Sequence, residues 1–232
     1  MKILILSSGR AGSTSLAKAF YEGFDNAFYI SEIFYSLEKP FVSNNLELQN
    51  HLKKISNIKN THVICKDLIH DPLVNNDLKF NKFFENIPIS NGVGLPSLKY
   101  ISYKFLVEYF LKYIQNFDRI VLLYRKDIKK CAESWAYIKK YGFKYQNHVK
   151  NVGKYKYDNS LSIKDEVKDL KKYNKALNEI SKKIKIPLTS YEDLFSGNLN
   201  YLQYFLDIHQ IEIEDFSQFN YWLNPKNRHR QD

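Results

Sequence analysis

The chain has 232 residues, 44% of them apolar, and its 35 Lys and Arg against 25 Asp and Glu leave a net charge of +10. That length fits a single domain over residues 1–232, the apolar share excludes wholesale disorder, and no stretch nears the ~20 apolar residues of a membrane-spanning helix. The basic balance favours anionic partners, and the joint abundance of Lys, Asn, Ile, Tyr and Phe also suits a codon bias that would raise lysine throughout.

Lys2–Leu6 is apolar after Lys2, as a buried parallel strand should be. Leu16, Ala19, Phe20 and Phe24 recur at helical spacing, which predicts a helix over Ser13–Phe24. Between them lies the small loop that holds Gly9, Arg10, Ala11 and Gly12. Its glycines permit a tight turn and close approach of a ligand. The first N–H groups of the following helix, with the hydroxyls of Ser13, Thr14 and Ser15, can cradle an anion. An ordinary strand-turn-helix with Ser13 as the cap is the competing reading.

Ala27–Ile30 reads as a second strand and Leu46–Ile58 as a helix. The β-branched run Thr61–Cys65 reads as a third strand, ending at Lys66. Asp71–Pro96, with its prolines and glycines, is aperiodic and predicts a loop insertion near 71–97; a second insertion is placed near 142–158. Leu98–Phe117 predicts a helix, Arg119–Tyr124 a buried strand, Asp127–Tyr141 a helix and Ser162–Ile184 a long charged helix. Ile186–Thr189 is a final strand that Pro187 assigns to an edge, followed by short helices over Glu192–Phe195 and Leu199–Ile208.

Alternating strands and helices predict an α/β fold with three layers around a central, mostly parallel sheet of about five strands. In such a sheet ligands bind beyond the carboxyl ends of the strands. Arg10–Ser15, Lys66, Arg125 and Tyr191 all fall there. Cys65 and Cys131 lack CxxC spacing and sit among apolar residues, so they read as reduced core thiols of a cytoplasmic protein. No metal-ligand spacing occurs, and His70-Asp71 is a lone pair that reads as structural.

The stretch "SGRAGSTSL" resembles the 5′-phosphosulfate loop of sulfotransferases that use 3′-phosphoadenosine 5′-phosphosulfate (PAPS), in the form Arg-x-Gly-Ser-Thr carried by bacterial and Golgi-type members. "RIVLLYRKDIKKCAESW" is similar to the family's second motif, with Arg125 and Ser134 in the places that bind the donor's 3′-phosphate. In the commonest form of the family the serine lies one residue earlier, where this chain has Glu133; the bacterial group related to trehalose 2-sulfotransferase, whose second motif reads Arg-x-Asp, accepts the present spacing. "TSYEDLF" matches a late Tyr-Glu-Asp-Leu, here Tyr191 to Leu194.

The resemblance implies a P-loop-type fold and transfer of a sulfuryl group from PAPS to a hydroxyl or amine acceptor, a carbohydrate or other small molecule, with the bisphosphate (PAP) as product. No metal, nucleic-acid partner or membrane span is implied. Arg10 would face the bridging oxygen as a catalytic cation, and the backbone from Arg10 to Ser15, with Arg125, Ser134 and Tyr191, would bind the donor. Glu32 resembles the group's catalytic base, and His70 is the rival. Lys66 would orient the sulfonate or the acceptor. Lys226, Arg228 and Arg230 either close over the 3′-phosphate or form a solvated tail. Two further classes stand open: a P-loop small-molecule kinase, disfavoured by the missing G-K-[ST], and a non-catalytic polyanion- or nucleotide-binding protein.

Overall fold

The computed structural model describes residues 1–31, 35–36, 39–40, 53, 55–69, 103–141, 163–225 and 227. Seven strands are found among them: β1 (Lys2–Ser7), β2 (Ala27–Ser31), β3 (Tyr35–Ser36), β4 (Lys39–Pro40), β5 (His62–Leu68), β6 (Arg119–Tyr124) and β7 (Leu188–Ser190). The helices are α1 (Ser13–Gly23), α2 (Tyr103–Ile114), α3 (Ile128–Tyr141), α4 (Lys164–Ile184), α5 (Tyr191–Leu194), α6 (Leu199–His209) and α7 (Phe216–Leu223).

Five strands form one all-parallel sheet in the order β2-β5-β1-β6-β7. β3 and β4 make a separate antiparallel ribbon of two residues each. β1 over Ile3–Leu6 and β6 over Ile120–Leu123 are wholly apolar because both sheet faces are covered. Alternate residues of β1 enter two different cores, as the period of two requires. Leu4 and Leu6, with Val63, Cys65 and Leu122, pack under α2, α3 and α4. Ile3 and Ile5, with Ile64, Val121 and Leu123, pack under α1, α6 and α7. The result is the three-layer α/β architecture expected.

Several boundaries differ from expectation for physical reasons. β5 continues through Lys66, Asp67 and Leu68 because both charged side chains, though buried, find partners: Lys66 Nζ donates to Thr14 Oγ1 (3.2 Å) and Tyr113 Oη donates to Asp67 Oδ2 (2.9 Å). α2 stops before Phe117, where the N–H groups of Asn116 and Phe117 close a turn on the carbonyls of Tyr113 and Ile114. β7 starts after Pro187, which has no N–H to give a ladder, and it is an edge strand as expected. α7 was not expected at all. It packs on α1, with Phe219 and Phe20 ring centroids 5.3 Å apart. Of the helix expected over 46–58, residues 53 and 55–57 are described and helical. The two insertions lie outside the described residues.

The chain returns to β1's side twice. β2 and β5 lie to one side of β1, and β6 and β7 to the other. The direction of winding therefore reverses between β1 and β6, where such sheets open a crevice beyond their carboxyl ends.

Candidate functional site

That crevice is where the first loop lies. The N–H of Ser8 donates to the Leu123 carbonyl (3.2 Å), so the loop leaves β1 still tied to β6. It turns through Arg10 at φ +63° and Gly12 at φ +80°, and α1 begins at Ser13. The left-handed conformation suits Gly12; for Arg10 it costs about 1–2 kcal/mol, which surrounding contacts must hold.

Those contacts come from α3 and the end of β6. Arg10 Nε donates to Ser134 Oγ (2.9 Å), Arg125 Nη1 donates to the Arg10 carbonyl (3.4 Å), and the Cys131 thiol donates to the Gly9 carbonyl (3.0 Å). The loop is also packed from both sides. A Cβ on Gly9 would stand 2.5 Å from the Trp135 ring, and one on Gly12 would stand 2.7 Å from Phe195 and 2.8 Å from Tyr191. Gly9 is therefore required for close approach, and Gly12 for close approach and for its left-handed conformation.

Cations gather around the start of α1 from three elements: Arg10 from the loop, Lys66 from β5 and Arg125 from the end of β6. Lys66 is only 5% exposed and anchored on Thr14. The Arg125 guanidinium lies over the Tyr191 ring, 4.6 Å from its centroid, and its Nε is 3.8 Å from Glu192 Oε1. That Nε is buried and has no hydrogen-bond acceptor among the described residues. The N-cap of α1 is Gly12, which has no side chain to cap the helix, so among the described residues its leading N–H groups keep their donor capacity. Dipole, uncapped donors and cations together define an anion-binding geometry.

The structure thus brings together Arg10, Ala11, Gly12, Ser13, Thr14, Ser15, Arg125, Ser134 and Tyr191. Ala11 is fully buried and Ser13 nearly so, which leaves Ala11 only its backbone to offer. Glu32, His70, Lys226, Arg228 and Arg230 lie outside the described residues. Three supports of the loop had no expected role: Cys131, Trp135 and Glu192. The first two face the loop from the inner side of α3, at i and i+4, a spacing visible in sequence that carries no mark of what it touches. Burial pushes the Cys131 thiol up to about 11, against the pull of Arg125 and Arg10. It remains a neutral donor near neutral pH. Burial likewise pushes the Cys65 thiol up, with Asp67 adding to the effect.

On the rim, Lys126 Nζ pairs with Asp193 (2.7 Å), which holds the Asp193 carboxyl below the usual range, with Ser190 helping. Asp127 accepts from the Lys130 N–H (3.0 Å) at the start of α3, which lowers its pKa as well. Among the described residues no group of His, Cys, Asp and Glu is arranged to hold a metal ion. No helix of the described residues is long and apolar enough to cross a membrane.

No protein-family model matches the chain, and no curated protein matches it either.

Proposed function

We propose that the chain is a PAPS-dependent sulfotransferase acting on a hydroxyl or amine acceptor, a carbohydrate or other small molecule, with a P-loop-type binding loop. The observation that carries this reading is the convergence of Arg10, Ser134 and Arg125 beside the uncapped start of α1. PAPS presents two separate anionic groups, a 5′-phosphosulfate and a 3′-phosphate. In this reading the N–H groups at the start of α1 and Arg10 take the first, and Arg125 with Ser134 takes the second. The residues fit. Ser134 Oγ accepts from Arg10 and keeps its own O–H to donate. Arg125 Nε is a buried donor that a phosphate oxygen would satisfy.

The reaction forms a bond from the acceptor oxygen or nitrogen to sulfur and breaks the bond from sulfur to the bridging oxygen. PAP leaves, and the acceptor's proton goes to a base. Arg10 offsets charge that develops on the bridging oxygen, in a loop already folded for it. Glu32 is the proposed base and His70 its rival. Glu32→Gln keeps shape and removes basicity, so turnover should fall by about 10²–10⁴ while donor binding is kept. Full turnover in Glu32→Gln with loss in His70→Ala would transfer the role to His70.

Ligand-dependent melting tests the whole reading. PAP should raise the melting temperature and ATP should not. A shift with ATP alone favours the kinase. A shift only with nucleic acid, steep in salt, favours a polyanion-binding protein.

A further inference from the structure

β6 and β7 pair with Tyr124 opposite Ser190, so the residues that follow the two strands leave the sheet side by side. One exit, Arg125 to Asp127, turns into α3; the other is α5. Glu192 stands at their junction. Its Oε2 accepts from the Lys126 N–H (2.9 Å), and its Oε1 accepts from the Asp127 N–H (3.1 Å). The same Oε1 lies 3.8 Å from Arg125 Nε. One residue earlier, Tyr191 supplies the ring beneath the Arg125 guanidinium.

We propose that Glu192 is the positioning residue of the anion subsite at Arg125: its carboxylate clamps the turn after β6 and aims the guanidinium at the α1 loop, setting the preference for a ligand with a second phosphate. The ligand side of this inference rests on the proposed function. A free arginine side chain samples many rotamers, and ordering it on binding weakens affinity. Here the backbone on both sides of the turn, the ring and the carboxylate fix the side chain beforehand.

A carboxylate is needed for this geometry. Two N–H donors meet two different oxygens. A glutamine would offer one oxygen and turn its NH₂ toward the other donor. An aspartate would keep the charge and fall one methylene short. Neighbouring Asp193 serves a different purpose, since it pairs with the exposed Lys126 Nζ and holds Ser190; such surface pairs contribute little.

The test measures affinities of adenosine 3′,5′-bisphosphate and adenosine 5′-monophosphate by calorimetry in wild type, Glu192→Gln, Glu192→Asp and Lys126→Ala. Wild type should prefer the bisphosphate. Both Glu192 variants should lose about tenfold of that preference, with monophosphate affinity kept. Lys126→Ala should leave the preference unchanged. An equal loss for both nucleotides would mean a merely structural role and overturn the proposal. Increased preference in Glu192→Gln would make Glu192 a repelling counter-charge, and unchanged preference would leave it no part in the subsite; either overturns the proposal. Preference kept in Glu192→Asp but lost in Glu192→Gln would show that charge alone suffices, and would sink the clamp.

If wild type itself shows no preference, the proposed function fails, and the clamp is read without ligand. Its signature is the Arg125 Nε–H resonance, expected sharp in wild type and exchange-broadened in Glu192→Gln. An unchanged resonance rejects the clamp.

Discussion

Gly12 is held by two independent constraints. Its φ of +80° is strained for any L side chain, and the Tyr191 and Phe195 rings occupy the space a Cβ would need. Gly12→Ala should therefore cost at least about 1–2 kcal/mol from the backbone alone, with the displaced rings adding to it. Urea melts read that loss, and an unchanged midpoint would mean that the loop can flatten. Arg125 contributes differently. It touches the loop through one long bond to the Arg10 carbonyl, so the fold does not depend on it. Arg125→Ala should melt near wild type and bind PAP more weakly by about 1.5–3 kcal/mol, the value of a charge-assisted bond to phosphate. Calorimetry that finds equal affinity in the folded variant would remove Arg125 from the donor site.

Elements declared themselves in the sequence in proportion to how far their stability depends on their own pattern. β1 and β6 are unbroken apolar runs, and only strands covered on both faces read that way. The pattern ends this strand at Lys66 because Lys66 and Asp67 look like a strand end; their partners, Thr14 and Tyr113, lie far away in the chain, so pattern alone has no means to count the two charges as buried. α7 leaves no mark in the sequence pattern for a related reason. Its eight residues are largely aromatic and polar, with weak intrinsic helix propensity. Asp215 caps it by accepting from the Gln218 N–H (3.0 Å), and packing on α1 supplies the rest. Removing that packing should expose the dependence. Phe219 is fully buried, and Phe219→Ala should cost about 3–5 kcal/mol in urea unfolding. A loss below about 1 kcal/mol would mean that α7 is an appendage rather than a part of the core.

At the scale of the whole molecule, a parallel sheet delivers every strand's carboxyl end to one side. For that reason the cluster of Arg10, Lys66, Arg125 and Tyr191 was legible from strand ends alone, while Glu192 and Trp135, which hold it in shape, were not. Packed against the same sheet is a buried group that titrates in an accessible range. His209 closes α6 and is 4% exposed, with its Nε2 3.4 Å from Thr189 Oγ1 and its ring against Phe205. Burial lowers its pKa to about 4, outweighing a bond to the Ile120 backbone. The unfolded chain returns His209 to its ordinary value of 6.5. Between the two values the unfolded state binds a proton that the folded state refuses, so stability is complete above pH 6.5 and is lost as pH falls toward 4. One pKa unit is worth about 1.4 kcal/mol, so the loss should be about 2 kcal/mol by pH 5. The half-buried Asp127, Asp193 and Asp215 have lowered values and lose their contribution only at more acid pH, which keeps the two windows apart. Urea melts at pH 7.5, 6.0 and 5.0 should show the decline in wild type. His209→Gln should start less stable and decline less over the same range. A flat wild-type profile, or equal slopes in the two proteins, would show that His209 is not the group whose burial couples this fold to pH.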